Sequence, residues 1–128
     1  MGETVKTADV LIVEDSEEVI WMMGNVLENA GFTVDAVMTG KDALERLNTS
    51  PETGLVILNY RLPDMSGLTV LKRIKENGAN VQVIATSAMK EVQESFAEAG
   101  AFAFLEKPFD IGELVKLCEE AVGKKSRQ

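Results

Sequence analysis

Apolar and polar positions follow two different rhythms along this chain. Val10-Leu11-Ile12-Val13, Leu55-Val56-Ile57-Leu58 and Val81 to Ala85 are short, nearly unbroken apolar runs rich in branched residues. Such runs suit strands buried on both faces, which implies parallel pairing. Thr33 to Val37 and Ala101 to Leu105 are weaker strand candidates, each bracketed by a glycine-containing turn or a following proline. The segments between them have helical spacing. Val19, Met22, Met23, Val26, Leu27 and Ala30 recur mostly three and four apart, behind a capping-box-like start at Asp15 and Glu18. Asp110 and Glu113 flank the first turn of the last helix, whose stripe is Leu114, Val115, Cys118, Ala121 and Val122. Helices near Lys41 to Leu47, Ser66 to Glu76 and Lys90 to Ala99 complete the set, and Gly31, Gly78 and Gly100 stand where helices should stop.

The order is strand then helix, five times over, with no internal repeat or linker. Right-handed crossovers wind that order into an α/β sandwich, a parallel sheet with helices on both faces. The expected domain runs from residue 8 to 122, with 1–7 and 123–128 read as flexible termini.

Composition removes several function classes. A chain of 128 residues, 45% of them hydrophobic, fills one domain with one respectable core. Its net charge of −8 and pI near 4.6 repel nucleic acid and anionic membranes. No apolar run approaches a bilayer span, and MGETVKTAD lacks a signal peptide's apolar core, so a soluble cytoplasmic protein is expected. The absence of histidine excludes histidine-based triads and most zinc sites. Cys118, the sole cysteine, falls on an apolar stripe and reads as a buried small hydrophobe.

In a sheet of this kind ligands bind beyond the carboxyl ends of the strands. The first strand delivers Glu14 and Asp15 there, the third Asn59, the fourth Thr86 and Ser87, and the fifth Lys107 before Pro108. Two adjacent carboxylates suit a hard cation such as Mg2+, and a lysine with a hydroxyl opposite suits phosphoryl oxygens. Each residue alone has an ordinary explanation as a cap, a turn former or a solvated lysine. Their convergence on one cleft is what carries weight.

VEDSEEV, LNYRLPDMSG, ATSA and LEKPF, in this order and spacing, resemble the receiver domain of two-component response regulators. The resemblance covers roughly Ala8 to Val122 and implies a flavodoxin-like sheet in the order 2-1-3-4-5. It implies that Glu14 and Asp15 are the acidic metal-binding pair and that the backbone carbonyl of Arg61 completes the protein ligands. Lys107 matches the lysine that contacts the phosphoryl group, Pro108 a cis proline, and Phe104 the aromatic whose rotamer accompanies activation. Ser87, followed by a small residue, fits the switch hydroxyl better than Thr86. The implied partners are a sensor histidine kinase or histidine phosphotransfer protein, with an output protein or a second copy of the chain.

Asn59 departs from the pattern, because that family places its phosphoaccepting aspartate there. A neutral amide is no anionic nucleophile, so phosphorylation at this position is not expected. Loss of one carboxylate also weakens a Mg2+ site at Glu14, Asp15, Asn59 and Arg61, and it relieves repulsion in an acidic cluster, an expected gain in stability. Two accounts stand open: a receiver relative that acts by contacts alone, or an ordinary phosphorylatable receiver whose aspartate was replaced. More remote are an electron carrier of flavodoxin type and a small metal-dependent phosphatase. The first would set flavin phosphate against two carboxylates, and the second lacks room for a catalytic cap. Neither activity is expected, so the chain reads as a non-enzyme.

Trp21 and Ile20 fall outside the first helix's expected stripe. They are candidates for a partner or self-association patch.

Overall fold

The computed structural model describes residues 9–123. Residues 1–7 and 124–128, expected to be loose, lie outside the described residues. The elements are β1 (Val10–Val13), α1 (Glu17–Asn29), β2 (Val34–Val37), α2 (Gly40–Thr49), β3 (Leu55–Asn59), α3 (Gly67–Glu76), β4 (Gln82–Ser87), α4 (Gln93–Glu98), β5 (Ala103–Glu106) and α5 (Ile111–Val122). All neighbouring strands pair in parallel, in the order β2-β1-β3-β4-β5, the flavodoxin-like arrangement.

Strand alternation divides the core in two. Leu11, Val13, Val56, Leu58, Val83 and Ala85 face α2, α3 and α4, where they meet Ala43, Val70, Leu71, Ile74 and Phe96. Val10, Ile12, Leu55, Ile57 and Ile84 face α1 and α5, where they meet Met23, Leu27, Leu114 and Cys118. The central strands β1 and β3 are buried along their whole length, which explains their unbroken apolar sequences.

Four local expectations are corrected. The N-cap of α1 is Ser16, not Asp15: the Ser16 hydroxyl accepts from the Val19 N–H at 3.3 Å, while Asp15 is exposed. Ile20, expected to point away from the buried stripe, is half-buried: at helical period it shares a face with Met23 and Leu27 and packs on their core, and it also lines a shallow groove with Trp21. The helix expected from Lys90 opens as a 3-10 turn over Lys90–Val92, and neither that turn nor α4 has a side-chain cap to extend it. Gly123, counted with the loose tail, closes α5 in the left-handed conformation at φ 66°.

One contact shapes the loop beyond β3. The Gly67 N–H donates to the Tyr60 carbonyl at 2.7 Å, drawing the start of α3 against the end of β3. A Cβ at Gly67 would lie 2.3 Å from the Asn59 carbonyl oxygen and 3.1 Å from the Tyr60 Cα. Backbone cannot yield there as a flexible side chain would. Gly67→Ala should therefore destabilise the domain by about 2 kcal/mol, the usual cost of overpacking, measured as a lower denaturation midpoint at unchanged slope.

Candidate functional site

The sheet itself positions the polar groups at its carboxyl edge. The ladder runs on past the strand ends: the Glu14 N–H donates to Val37, the Tyr60 N–H to Thr86 and the Lys107 N–H to Ser87, at 3.1, 2.9 and 2.8 Å. Glu14, Asn59 and Lys107 are thus held by backbone before any side chain interacts. The Lys107–Pro108 peptide is cis.

The side chains form a closed set. Lys107 Nζ lies 3.1 Å from Glu14 Oε1, and the Ser16 N–H donates to Glu14 Oε2 at 3.2 Å. Asn59, a register partner of Thr86, donates from Nδ2 to the Arg61 carbonyl at 2.7 Å and accepts at Oδ1 from the Thr86 hydroxyl at 3.3 Å. Ser87 faces the other way. Its hydroxyl accepts from the Met89 N–H at 2.9 Å, and by alternation it shares the side of Ala85. Phe104 also packs on that side, its ring centroid 6.1 Å from that of Phe96, which in turn sits edge-on to Tyr60 at 6.0 Å. The two adjacent hydroxyls therefore serve different neighbours. Among the described residues, no buried side-chain nitrogen or oxygen lacks a partner.

Glu14 is the costly member. With its side chain 3% exposed, burial pushes its carboxyl above the ordinary 4.5, against the opposing pull of Lys107 and the Ser16 N–H. Asp64, in the loop after Asn59, behaves oppositely: its carboxylate accepts from the Gly40 and Lys41 N–H groups at 2.8 and 2.9 Å, which hold its pKa below the ordinary 3.8. That residue ties the loop to the N-terminus of α2, where an anion is favoured. Sequence reading missed it, since its partners lie more than twenty positions earlier and no local pattern announces them.

The residue set matches a known family along most of its length. Residues 10–119 fit the model of the response regulator receiver domain. The chain belongs to that family. The receiver is 34% identical over 115 residues to the DNA-binding transcriptional regulator NtrC of Escherichia coli K12, covering 88% of this chain but only 24% of that one. It therefore spans about a quarter of the length of that relative. It is 31% identical over 117 residues to the two-component response regulator ORR5 of Oryza sativa subsp. japonica, covering 88% of this chain and 87% of that protein. Among solved structures, the receiver domain of NtrX from Brucella abortus superposes with TM-score 0.83 at 27% identity, over 90% of this chain and 98% of that one. A CheY-like receiver from Methanospirillum hungatei JF-1 superposes at 0.84, covering 92% and 95%, and at 23% identity it speaks to the fold alone. No helix among the described residues is long and apolar enough to cross a membrane.

A Mg2+ ion, expected for the acidic pair of a receiver, fits this residue set poorly. The Arg61 carbonyl is met by the positive end of the Asn59 amide, and the oxygens of Glu14 are engaged by Lys107 and the Ser16 N–H. Asp15 stands exposed beside them. Among the described residues, no group of three or more acidic, histidine or cysteine side chains is placed to hold a metal.

The Glu14–Lys107 pair yields a pH-dependent expectation. In Lys107→Met the buried carboxylate loses its cation, and its folded pKa rises further above its unfolded value. The penalty is then absent below about pH 4.5, where Glu14 is protonated in both states, and grows as pH rises through the folded pKa. Stability at neutral pH should fall by about 2 kcal/mol, less than for a fully buried pair because Lys107 remains 26% exposed. Denaturation midpoints across pH should show variant and parent converging in acid.

Proposed function

We propose that this receiver works as a regulatory interaction module of a two-component system and is not phosphorylated at position 59. The observation that carries this reading is the Asn59 amide, seated at the end of β3 with both of its polar atoms engaged by Thr86 and Arg61. A neutral amide in that place has neither the anionic oxygen nor the free lone pair that attack on a phosphoryl group requires. By the resemblance to the family, Lys107, Ser87 and Phe104 correspond to a phosphoryl contact, a switch hydroxyl and a switch aromatic. That correspondence favours a second account, in which an ordinary receiver had its aspartate replaced.

Incubation with Mg2+ and a small phosphodonor, read by intact mass, separates the readings. No gain on this chain and one phosphoryl on Asn59→Asp would make Asn59 alone the silencer. A gain on this chain would remove the proposal.

The partners proposed are a sensor histidine kinase or histidine phosphotransfer protein, with an output protein or second copy as the recipient of the signal. Trp21 marks the surface: it is 74% exposed on α1, a helix with Glu17, Glu18 and Glu28 and no basic residue. Gly24, one turn on, has nothing within 4 Å of where its Cβ would lie, so the packing of this chain does not require a glycine there. A glycine inside a helix costs about 1 kcal/mol relative to alanine, and the shallow notch it leaves beside Trp21 gives a partner helix room to approach. Trp21→Glu should weaken binding to a cognate histidine-bearing domain at least about tenfold while shifting stability by no more than about 0.5 kcal/mol. Calorimetric titration beside a melting curve checks both, and unchanged affinity would take α1 out of the interface.

A further inference from the structure

We propose that the Asn59 amide takes the electrostatic place of a cation in this pocket, so that the receiver rests in a closed, metal-independent state. The inference rests on the family membership of the chain and on the placement of Asn59 at the acceptor position. The groups that converge on the carboxyl edge are mostly acceptors: the Glu14 carboxylate, the Arg61 carbonyl and the oxygen of residue 59. Acceptors packed against one another need a positive or protonated group between them. This chain supplies its own. Lys107 and the Ser16 N–H meet Glu14, and the Asn59 NH2 meets the Arg61 carbonyl at 2.7 Å.

The orientation of the amide is set by the Arg61 carbonyl, which can only accept and so takes Nδ2, while the Thr86 hydroxyl, able to donate or accept, donates to Oδ1. Turning the amide over would press Oδ1 against the Arg61 carbonyl. An aspartate in the same rotamer presents an oxygen to that carbonyl either way round, so there it calls for a cation or a proton between the two oxygens. Amide and cation are therefore alternative solutions to one gap, and a Mg2+ ion entering here would have to break the Asn59–Arg61 bond first. The loop from Arg61 to Ser66 is then held without metal or phosphoryl group, and its conformation does not respond to either.

The test uses the full chain with Asn59→Asp and Asn59→Leu, melted in chelator and in millimolar Mg2+, with the Asn59 side-chain amide followed by NMR during the same titration. The chain itself should keep its Tm within about 1 °C on adding Mg2+, with the amide protons protected and unmoved, whereas Asn59→Asp should melt lower in chelator and recover by about 4 °C with Mg2+. Asn59→Leu, neutral but unable to donate, should melt below the parent in both conditions.

Three outcomes would overturn the proposal. A Mg2+-dependent rise in the parent equal to that of Asn59→Asp would show that the amide does not exclude the ion. An Asn59→Leu that melts as high as the parent would reduce the effect to removal of a charge. Indifference of Asn59→Asp to Mg2+ would make the rest of the pocket responsible. None of these depends on phosphoryl transfer, so the metal inference and the phosphorylation reading can fail separately.

Discussion

A carboxylate buried at the end of β1 governs the arrangement of the whole carboxyl edge. Glu14 can remain there only if a cation reaches it, and the cation comes from the far side of the sheet. In the order β2-β1-β3-β4-β5, Lys107 at the end of β5 must extend across the ends of β4 and β3 to meet it. Thr86 and Asn59 end those two strands, so the ion pair and the amide network share one small volume. The continued backbone ladder at Glu14, Tyr60 and Lys107 keeps this from depending on long, mobile side chains alone.

Strand alternation then separates two kinds of work at adjacent positions. Asn59 and Thr86 continue the rows of Ile57 and Ile84, which belong to the core under α1 and α5. Ser87 continues the row of Ala85, on the side where Phe104, Phe96 and Tyr60 stack under α4. A one-residue step along β4 thus moves a hydroxyl from the amide to the aromatic row. That geometry gives Thr86 and Ser87 distinct neighbours, a distinction that their identical chemistry conceals in the sequence.

The fold was legible because its signals are local and redundant. Buried parallel strands read as Val10 to Val13 and Leu55 to Leu58 whatever surrounds them, and Gly31, Gly78 and Gly100 do take positive φ angles just beyond helices. The gathering of Glu14, Asn59, Thr86 and Lys107 at one edge followed from strand order, whereas Ser87 turns to the other face. What escaped was everything decided by approach between distant segments. Asp64 bonded to the start of α2 and Gly67 pressed on the Asn59 carbonyl are set by how elements meet, not by what precedes or follows each residue. Even the cap of α1 moved one residue, since Asp15 and Ser16 both suit the role and it is the Ser16 hydroxyl that meets the Val19 N–H.

The two hydrogen bonds of Asn59 differ in what they demand of the residue. The bond from Thr86 asks only for an oxygen at position 59, which a carboxylate would supply equally well. The bond to Arg61 asks for a donor, which a carboxylate lacks. The identity of residue 59 is therefore felt by the loop after β3 rather than by β4. That loop is tied to α2 through Asp64 and to α3 through Gly67, both on the same face of the sheet. The hydrogen bonds that lead away from this loop therefore run to α2 and α3. Trp21, exposed on α1, lies on the opposite face of the sheet.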